Sequence, residues 1–183
     1  MPYRLARPAD APCLAAIYAP YVENTAITFA EAPLTAGDFQ QKIHSPYPVL
    51  VYEEEGEIFG YAYASALREK AAYRWAVEPS IYLRPACQGK GVGKGLLRRL
   101  ISLLQAQKFQ SMYACITLPN EKSIRLHEGL GFKEVGRFEK SGYKLGAWHD
   151  VAWLYLPLAS FPPNPEKPLS IHALPEEIIQ SIL

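Results

Sequence analysis

An α/β (α+β) domain is what the sequence predicts, and three stretches predict it. Ile81 to Leu100 reads as a strand end, a loop with four glycines in seven positions, and a helix. Val49–Tyr52 and Ile58–Ala64 read as two strands of a hairpin about a turn at Glu54-Glu-Gly56. Lys133–Phe138 and Trp148–Leu156 read as a closing antiparallel pair. With 183 residues and 49% hydrophobic content, the chain can bury one full core, so one domain is the default. The net charge of +1 gives no overall field that selects nucleic acid or a membrane surface. Cys13, Cys87 and Cys115 are far apart and match no metal-ligand spacing, so no metal is expected. They suit a reducing cytoplasm. The N-terminus lacks a signal-peptide pattern, and no apolar run has membrane-spanning length.

In chain order, Tyr3–Ala6 reads as a first strand. Asp10 is placed to cap a helix striped with Leu14, Ile17, Tyr18 and Tyr21, which Pro20 should kink or end. Asn24 to Pro33 has no periodicity. Thr35 starts a second short helix that stops before Ser45-Pro46. After the hairpin and a polar connection from Arg68 to Ala72, Tyr73–Leu83 reads as a strand broken by Pro79. A proline there points to a bulge that splays the strand from its neighbour. Leu96, Leu97, Leu100, Ile101 and Leu104 lie on one face of the helix that follows. Ser111–Leu118 is the next strand. Asn120 or Ser123 caps a helix to about Glu128, closed by a glycine stop at Gly129 to Gly131. The connection from Glu139 to Ala147 reads as a loop. The domain is expected to span 1–158. The proline-rich tail, 159–183, ends in a possible short helix; disorder or docking are its two readings, with disorder favoured.

The glycine loop carries the chemistry. A helix that starts among glycines leaves backbone N–H groups uncovered and presents the positive end of its dipole, a seat for phosphate. The loop is not a Walker motif, because Gly95 follows Lys94 where Ser or Thr would hold magnesium. Its G-x-G-x-G spacing also departs from the dinucleotide fingerprint. A strand that parts from its neighbour just before such a loop could pair an extended, amide-bearing ligand.

Gln88, Gly91 and Gly93 fit the pattern Q/R-x-x-G-x-G/A, and Asn120-Glu-Lys-Ser-Ile-Arg-Leu-His-Glu-Gly-Leu-Gly-Phe132 follows about thirty residues later. Together with Pro79, these resemble the GNAT acetyltransferase superfamily, whose members bind acetyl-coenzyme A. Tyr73-Arg-Trp-Ala-Val-Glu78, Leu126-His-Glu128 and Gly142 to Asp150 resemble its phosphinothricin and methionine-sulfoximine N-acetyltransferase group. The resemblance runs from about Tyr3 to Leu158.

It implies a mixed, mostly antiparallel twisted sheet with helices on both faces, opened in a V for the cofactor. It also implies direct acetyl transfer from acetyl-coenzyme A to the amine of a small amino-acid-like acceptor. Glu78 is the implied base, and His127 the implied acid or second base. Ile81, Tyr82 and Leu83 are the main-chain contacts to the cofactor, with an N–H near Tyr82 polarising the thioester. Gln88, Gly89, Lys90, Gly91, Val92, Gly93 and Lys94 make the diphosphate site, and Asn120 hydrogen-bonds toward the pantetheine arm. Phe29, Tyr73 and Arg74 are candidate acceptor contacts, Arg74 through a bidentate pair to an oxyanion. Lys144 and His149 read first as surface or packing residues. Expected partners are a small-molecule amine and a second copy of the chain, with no nucleic acid and no membrane. The alternatives are a GNAT enzyme acting on another amine, a protein N-terminus or polyamine, and a non-catalytic acyl-coenzyme A-binding module.

Overall fold

A computed structural model describes residues 2–183. Strands β1 (Tyr3–Leu5), β2 (Val49–Glu54), β3 (Glu57–Ala66), β4 (Ala76–Leu83), β5 (Ser111–Thr117), β6 (Lys133–Lys144) and β7 (Ala147–Pro157) form one sheet. Helices α1 (Ala11–Asn24) and α2 (Ala36–His44) precede β2. Helix α3 (Val92–Ala106) joins β4 to β5, α4 (Glu121–Glu128) follows β5, and α5 (Glu176–Ile182) ends the chain. The strand order is β1-β2-β3-β4-β5-β7-β6. Every neighbouring pair is antiparallel except β4 with β5.

That one parallel pair decides where the sheet opens. β5 meets β4 only at Ala76–Ser111 and Val77–Met112. On its other side, β4 runs against β3 without a register shift from Gly60–Leu83 to Ala66–Val77. The Arg84 N–H donates to the Phe59 carbonyl at one end, and the Leu67 N–H to the Ala76 carbonyl at the other. Opposed residues of an antiparallel ladder alternate between bonded and non-bonded pairs, so these bonds set the phase. Glu78, Ser80 and Tyr82 exchange bonds with β3, whereas Val77, Pro79, Ile81 and Leu83 turn their main-chain groups toward β5. Pro79 therefore leaves the β3 ladder whole and removes a donor from the β5 ladder, and there the two strands separate. The bulge expected at Pro79 is absent from the β3–β4 register. The splay it was to cause is present, produced by a missing N–H on the parallel side.

The two faces divide the core. Ala62, Ala64, Val77, Met112 and Leu154 pack with the α3 stripe Leu96, Leu97, Leu100 and Leu104. Tyr61 and Tyr63 pack on the other face with Leu14, Ile17 and Tyr18 of α1 and Phe39 of α2. Helix α2 starts as expected from a capping box, with the Asp38 N–H donating to Thr35 Oγ1.

Four expectations change. Helix α1 passes through Pro20 to Asn24. Burial of Leu14, Ile17, Tyr18 and Val22 carries the helix past an exposed proline that propensity alone would place at an end. Tyr73 and Arg74 belong to a helical turn, Ala71–Tyr73 and its cap, and not to β4. The loop expected from Glu139 to Ala147 is strand on both sides, and only Leu145 and Gly146 turn, both at positive φ. Edge strand β6 is mostly exposed, so its end shows no alternation to read.

The tail, favoured as disordered, is docked. Ile171, Leu174, Ile179 and Leu183 are buried in the α3 core. The fully buried Gln107 side chain donates to the carbonyls of Pro46 and Leu169, tying the tail to the domain. Trp75 Nε1 donates to the Glu166 carbonyl, and Lys108 pairs with Glu166.

Candidate active site

The separation of β4 and β5 leaves a cavity of about 300 Å3. Its β4 wall runs from Glu78 to Tyr82 and its β5 wall from Ala114 to Thr117. Phe29 closes one side, and Asn120 and His127 of the α4 region another. The sequence-predicted Glu78, Ile81, Tyr82, Asn120, His127 and Phe29 are thus brought together. The alternation also narrows which main-chain N–H groups near Tyr82 face the cleft. The Tyr82 N–H is committed to β3, and the neighbouring Ile81 and Leu83 carry the cleft-facing N–H groups.

Glu78 is half-buried, and burial pushes its carboxyl pKa up; the Arg68 guanidinium pulls the other way. Across the gap, burial pushes the Cys115 thiol up to about 11, with the Glu78 charge adding to the rise and Arg68 opposing it. A thiol held so far above neutrality is a poor nucleophile.

His127 is 4% exposed, and its ring packs edge-on to Phe132 with centroids 5.0 Å apart. Nδ1 lies 2.8 Å from the Ser123 carbonyl oxygen. A carbonyl can only accept, so Nδ1 carries the proton. Burial lowers the imidazolium pKa, which leaves the ring neutral at pH 7 with Nε2 bare. Asn120 holds α4 in place, its Oδ1 accepting from the Ser123 N–H at 3.2 Å.

The loop leading into α3 fits a diphosphate. Gly89 and Gly91 both have positive φ, and Gly91 caps the helix at φ 82°. No atom lies within 4 Å of a Cβ built on either, so space stands open over the helix N-terminus. Lys90 and Lys94 are exposed beside it, while Val92 and Gly93 are buried. Gly93 packs under Leu83, Ile81 and Leu126, which seats the helix start against the end of β4. Gln88 donates to the Tyr21 hydroxyl at 3.3 Å, and that hydroxyl donates to the Leu83 carbonyl at 2.5 Å. Tyr21 thus ties α1 to the mouth of the cleft, a contact between distant segments that no local pattern could reveal.

Two placements differ from the sequence reading. Tyr73 and Arg74 are not brought to the cavity walls. Arg74 bonds back to the Ala71 carbonyl and stacks over Trp75, and Tyr73 lines a second hollow against Phe161 of the tail. Of the two readings of Lys144 and His149, surface or packing, the structure shows packing. Lys144 Nζ donates to the Thr28 carbonyl, and the His149 ring lies 6.2 Å from that of Phe29. Gly142 accepts the Phe29 ring so closely that a Cβ there would stand 2.3 Å from it. The β6–β7 hairpin therefore buttresses the loop that closes the cavity. Tyr18, Thr28, Tyr63, Ser80, Cys115 and Ser123 also reach the cavity and were not singled out. Ser80 and Cys115 had a signal, since each falls on the same strand face as Glu78 or its β5 counterpart.

A family model described as "Acetyltransferase (GNAT) domain" matches residues 3–153. The chain is a GNAT acetyltransferase. A phosphinothricin N-acetyltransferase of Streptomyces viridochromogenes is 37% identical to this GNAT enzyme over 174 residues, covering 90% of this chain and 93% of the relative. An L-methionine sulfoximine/L-methionine sulfone acetyltransferase of Pseudomonas paraeruginosa is 37% identical over 155 residues, covering 82% and 90%. The crystal structure of a GNAT superfamily phosphinothricin acetyltransferase from Sinorhizobium meliloti, in complex with acetyl-coenzyme A, superposes with a TM-score of 0.86 at 38% identity. It covers 91% of this chain and 94% of that one. This GNAT enzyme is an acyltransferase that takes its acetyl group from acetyl-coenzyme A. Among the described residues, no helix is long and apolar enough to cross a membrane.

Proposed function

We propose that this enzyme acetylates the α-amine of a small amino-acid-like acceptor of the phosphinothricin, methionine sulfoximine or methionine sulfone type. One observation carries the reading: a half-buried carboxylate, Glu78, sits on the strand whose cleft-facing N–H groups at Ile81 and Leu83 have no β5 partner. An extended arm paired with Ile81 and Leu83, its diphosphate at Gly89 to Gly93, would bring a thioester to the Glu78 end. The names of the two relatives supply the acceptor class.

The chemistry follows from the protonation states. An acceptor amine is mostly an ammonium ion at pH 7 and attacks only when neutral. Glu78, with its raised pKa, takes that proton. The freed nitrogen forms the new C–N bond as the thioester C–S bond breaks. His127 has no proton to give at Nε2, so it acts first as second base, taking the proton that the nitrogen sheds. It then returns that proton to the leaving thiolate. The cleft-facing N–H groups of Ile81 and Leu83 are the donors available to the developing oxyanion. No acyl-enzyme is needed, in keeping with the high pKa of Cys115.

Glu78→Gln tests the assignment. It should lower kcat by about 10²- to 10⁴-fold while calorimetry finds unchanged affinity for acetyl-coenzyme A. Unchanged turnover would remove Glu78 from the mechanism. A screen of amino acids and their sulfone, sulfoximine and phosphinate analogues, read by thiol release, tests the acceptor class.

The enzyme is further proposed to work as a homodimer in a reducing cytoplasm. The hairpin that buttresses the cavity exposes Phe138, Tyr143, Leu145 and Trp148, each more than half accessible, an apolar face suited to a second copy. Light scattering should find twice the 20.5 kDa chain mass, and Trp148→Lys should halve it. Three free cysteines support the compartment.

A further inference from the structure

The proposed cofactor site has two halves. One is the pair of cleft-facing N–H groups at Ile81 and Leu83, and the other is the glycine loop from Gly89 to Gly93. Only Arg84, Pro85, Ala86 and Cys87 separate Leu83 from Gln88, where that loop begins. They form one helical turn, closed by the Cys87 N–H on the Arg84 carbonyl and the Gln88 N–H on the Pro85 carbonyl. A turn this short has few bonds of its own with which to hold its ends apart.

Tyr21 of α1 is bonded to both ends. Its hydroxyl donates to the Leu83 carbonyl at 2.5 Å and accepts from Gln88 Nε2 at 3.3 Å. A hydroxyl has one proton and two lone pairs, so giving the proton to Leu83 leaves an acceptor for Gln88. The two bonds point the same way along one chain and strengthen each other. The phenol is itself fixed. Its ring packs edge-on to that of Tyr82, with centroids 5.1 Å apart, and its carbonyl accepts from Thr25 Oγ1 at 2.5 Å. Leu83 is held from the opposite side as well, since its side chain lies against Gly93 at the start of α3. Beyond Gln88 the loop opens: Gly89 and Gly91 have positive φ and no neighbour within 4 Å of a built Cβ. Tyr21 does not line the cavity. It is a strut behind the wall, joined to the last residue of β4 and to the last side chain before the open loop.

Coenzyme A reaches both halves with one flexible chain. A ligand that joins two binding groups gains from the second only when its linker matches the span between their sites. A span that wanders leaves each half able to bind alone and removes the gain from joining them. We infer that Tyr21 is a positioning residue for acetyl-coenzyme A, fixing through Leu83 and Gln88 the span between the thioester end and the diphosphate end of the site. This rests on the cofactor placement proposed above and adds a residue to it that acts without touching the ligand.

The experiment compares the whole cofactor with its parts in wild-type enzyme, Tyr21→Phe, Gln88→Ala and the double variant. Tyr21→Phe keeps the ring on Tyr82 and removes only the hydroxyl. It should raise KM and the calorimetric Kd for acetyl-coenzyme A about 5- to 50-fold, the range for two lost hydrogen bonds. The saturated kcat should change by less than about 3-fold, well inside one such bond. Inhibition by the nucleotide half, phosphoadenosine diphosphate, should hold within the same limit, as should kcat/KM with S-acetylpantetheine as donor. In the Gln88→Ala background, Tyr21→Phe should cost clearly less than in wild type, because the two side chains act through one relay. A residue with a merely structural role would weaken whole and parts alike, or lower Tm and leave affinity alone. The inference is overturned if Tyr21→Phe binds acetyl-coenzyme A as wild type does, if either half weakens as much as the whole, or if the two substitutions add. If the nucleotide half fails to compete with acetyl-coenzyme A in wild type, the diphosphate site itself is misplaced and the role of Tyr21 falls with it.

Discussion

At the scale of the residue, Glu78 and His127 sit within one cavity and are pushed by burial in opposite directions. The Glu78 carboxyl is raised, and the His127 imidazolium is lowered. A base works only when deprotonated. Activity should therefore be lost as pH falls through a Glu78 pKa that lies above the usual carboxylate value. His127 adds no loss until pH drops below its own depressed pKa. The expected kcat/KM profile rises with pH on its acid side, and Glu78→Gln should flatten that limb while leaving low residual turnover. A limb of unchanged midpoint in Glu78→Gln would assign the titration elsewhere. That both residues reach the cavity was legible because each lies in a motif of fixed spacing. The role of His127 was not. Whether it gives or takes a proton is set by one hydrogen bond from Nδ1 to the Ser123 carbonyl, and a sequence does not print tautomers. The placement of Arg74 was hidden for a related reason. Its neighbours read as strand, but its main chain turns, so its side chain leaves the wall that Glu78 lines.

At the scale of the element, the cleft is made by one proline in the right phase and one helix that starts on glycines. Proline and glycine act on the backbone directly, which is why the strand–loop–helix unit could be located from the sequence. Whether Pro79 bulged β4 toward β3 or freed it from β5 depended on the ladder's phase, and phase belongs to the partner strand. The β6–β7 hairpin was read too short for a similar reason: an edge strand exposed on both faces has no alternation. Gly91 gives this scale its prediction. At φ 82° an alanine enters a region that costs about 1–2 kcal/mol for an L-residue. The space around it is open, so strain acts without a clash. Gly91→Ala should destabilise the fold by about that amount in denaturant titration. It should also weaken coenzyme A, because relief of the strain reorients the N–H groups proposed to face the diphosphate. An alanine variant with wild-type affinity for coenzyme A would show that the loop's backbone geometry does not hold the ligand.

At the scale of the whole molecule, the tail is the part that the sequence pattern missed. Four prolines between Ser160 and Pro168 and a terminal helix of seven residues read as marginal in isolation. Its order comes instead from contacts made elsewhere in the chain. The Ile171 N–H donates to the Pro46 carbonyl, Leu169 bonds Gln107 in both directions, and Arg99 Nε reaches the Leu183 carbonyl. Ile171 is 3% exposed and packs in the cluster that includes the α3 leucines. Those leucines support the helix that starts at the proposed diphosphate loop, so the tail braces that helix from behind. A docked Ile171 truncated to alanine should cost about 2–5 kcal/mol, the usual range for emptying a buried aliphatic site. For a domain of this size each kcal/mol lowers Tm by about 2–4 °C. Thermal unfolding of Ile171→Ala should therefore fall by several degrees at the least, and saturating acetyl-coenzyme A should restore part of that by mass action. A solvated tail has no site to empty, so an unchanged Tm in Ile171→Ala would mean that residues 159–183 contribute nothing to the α3 core.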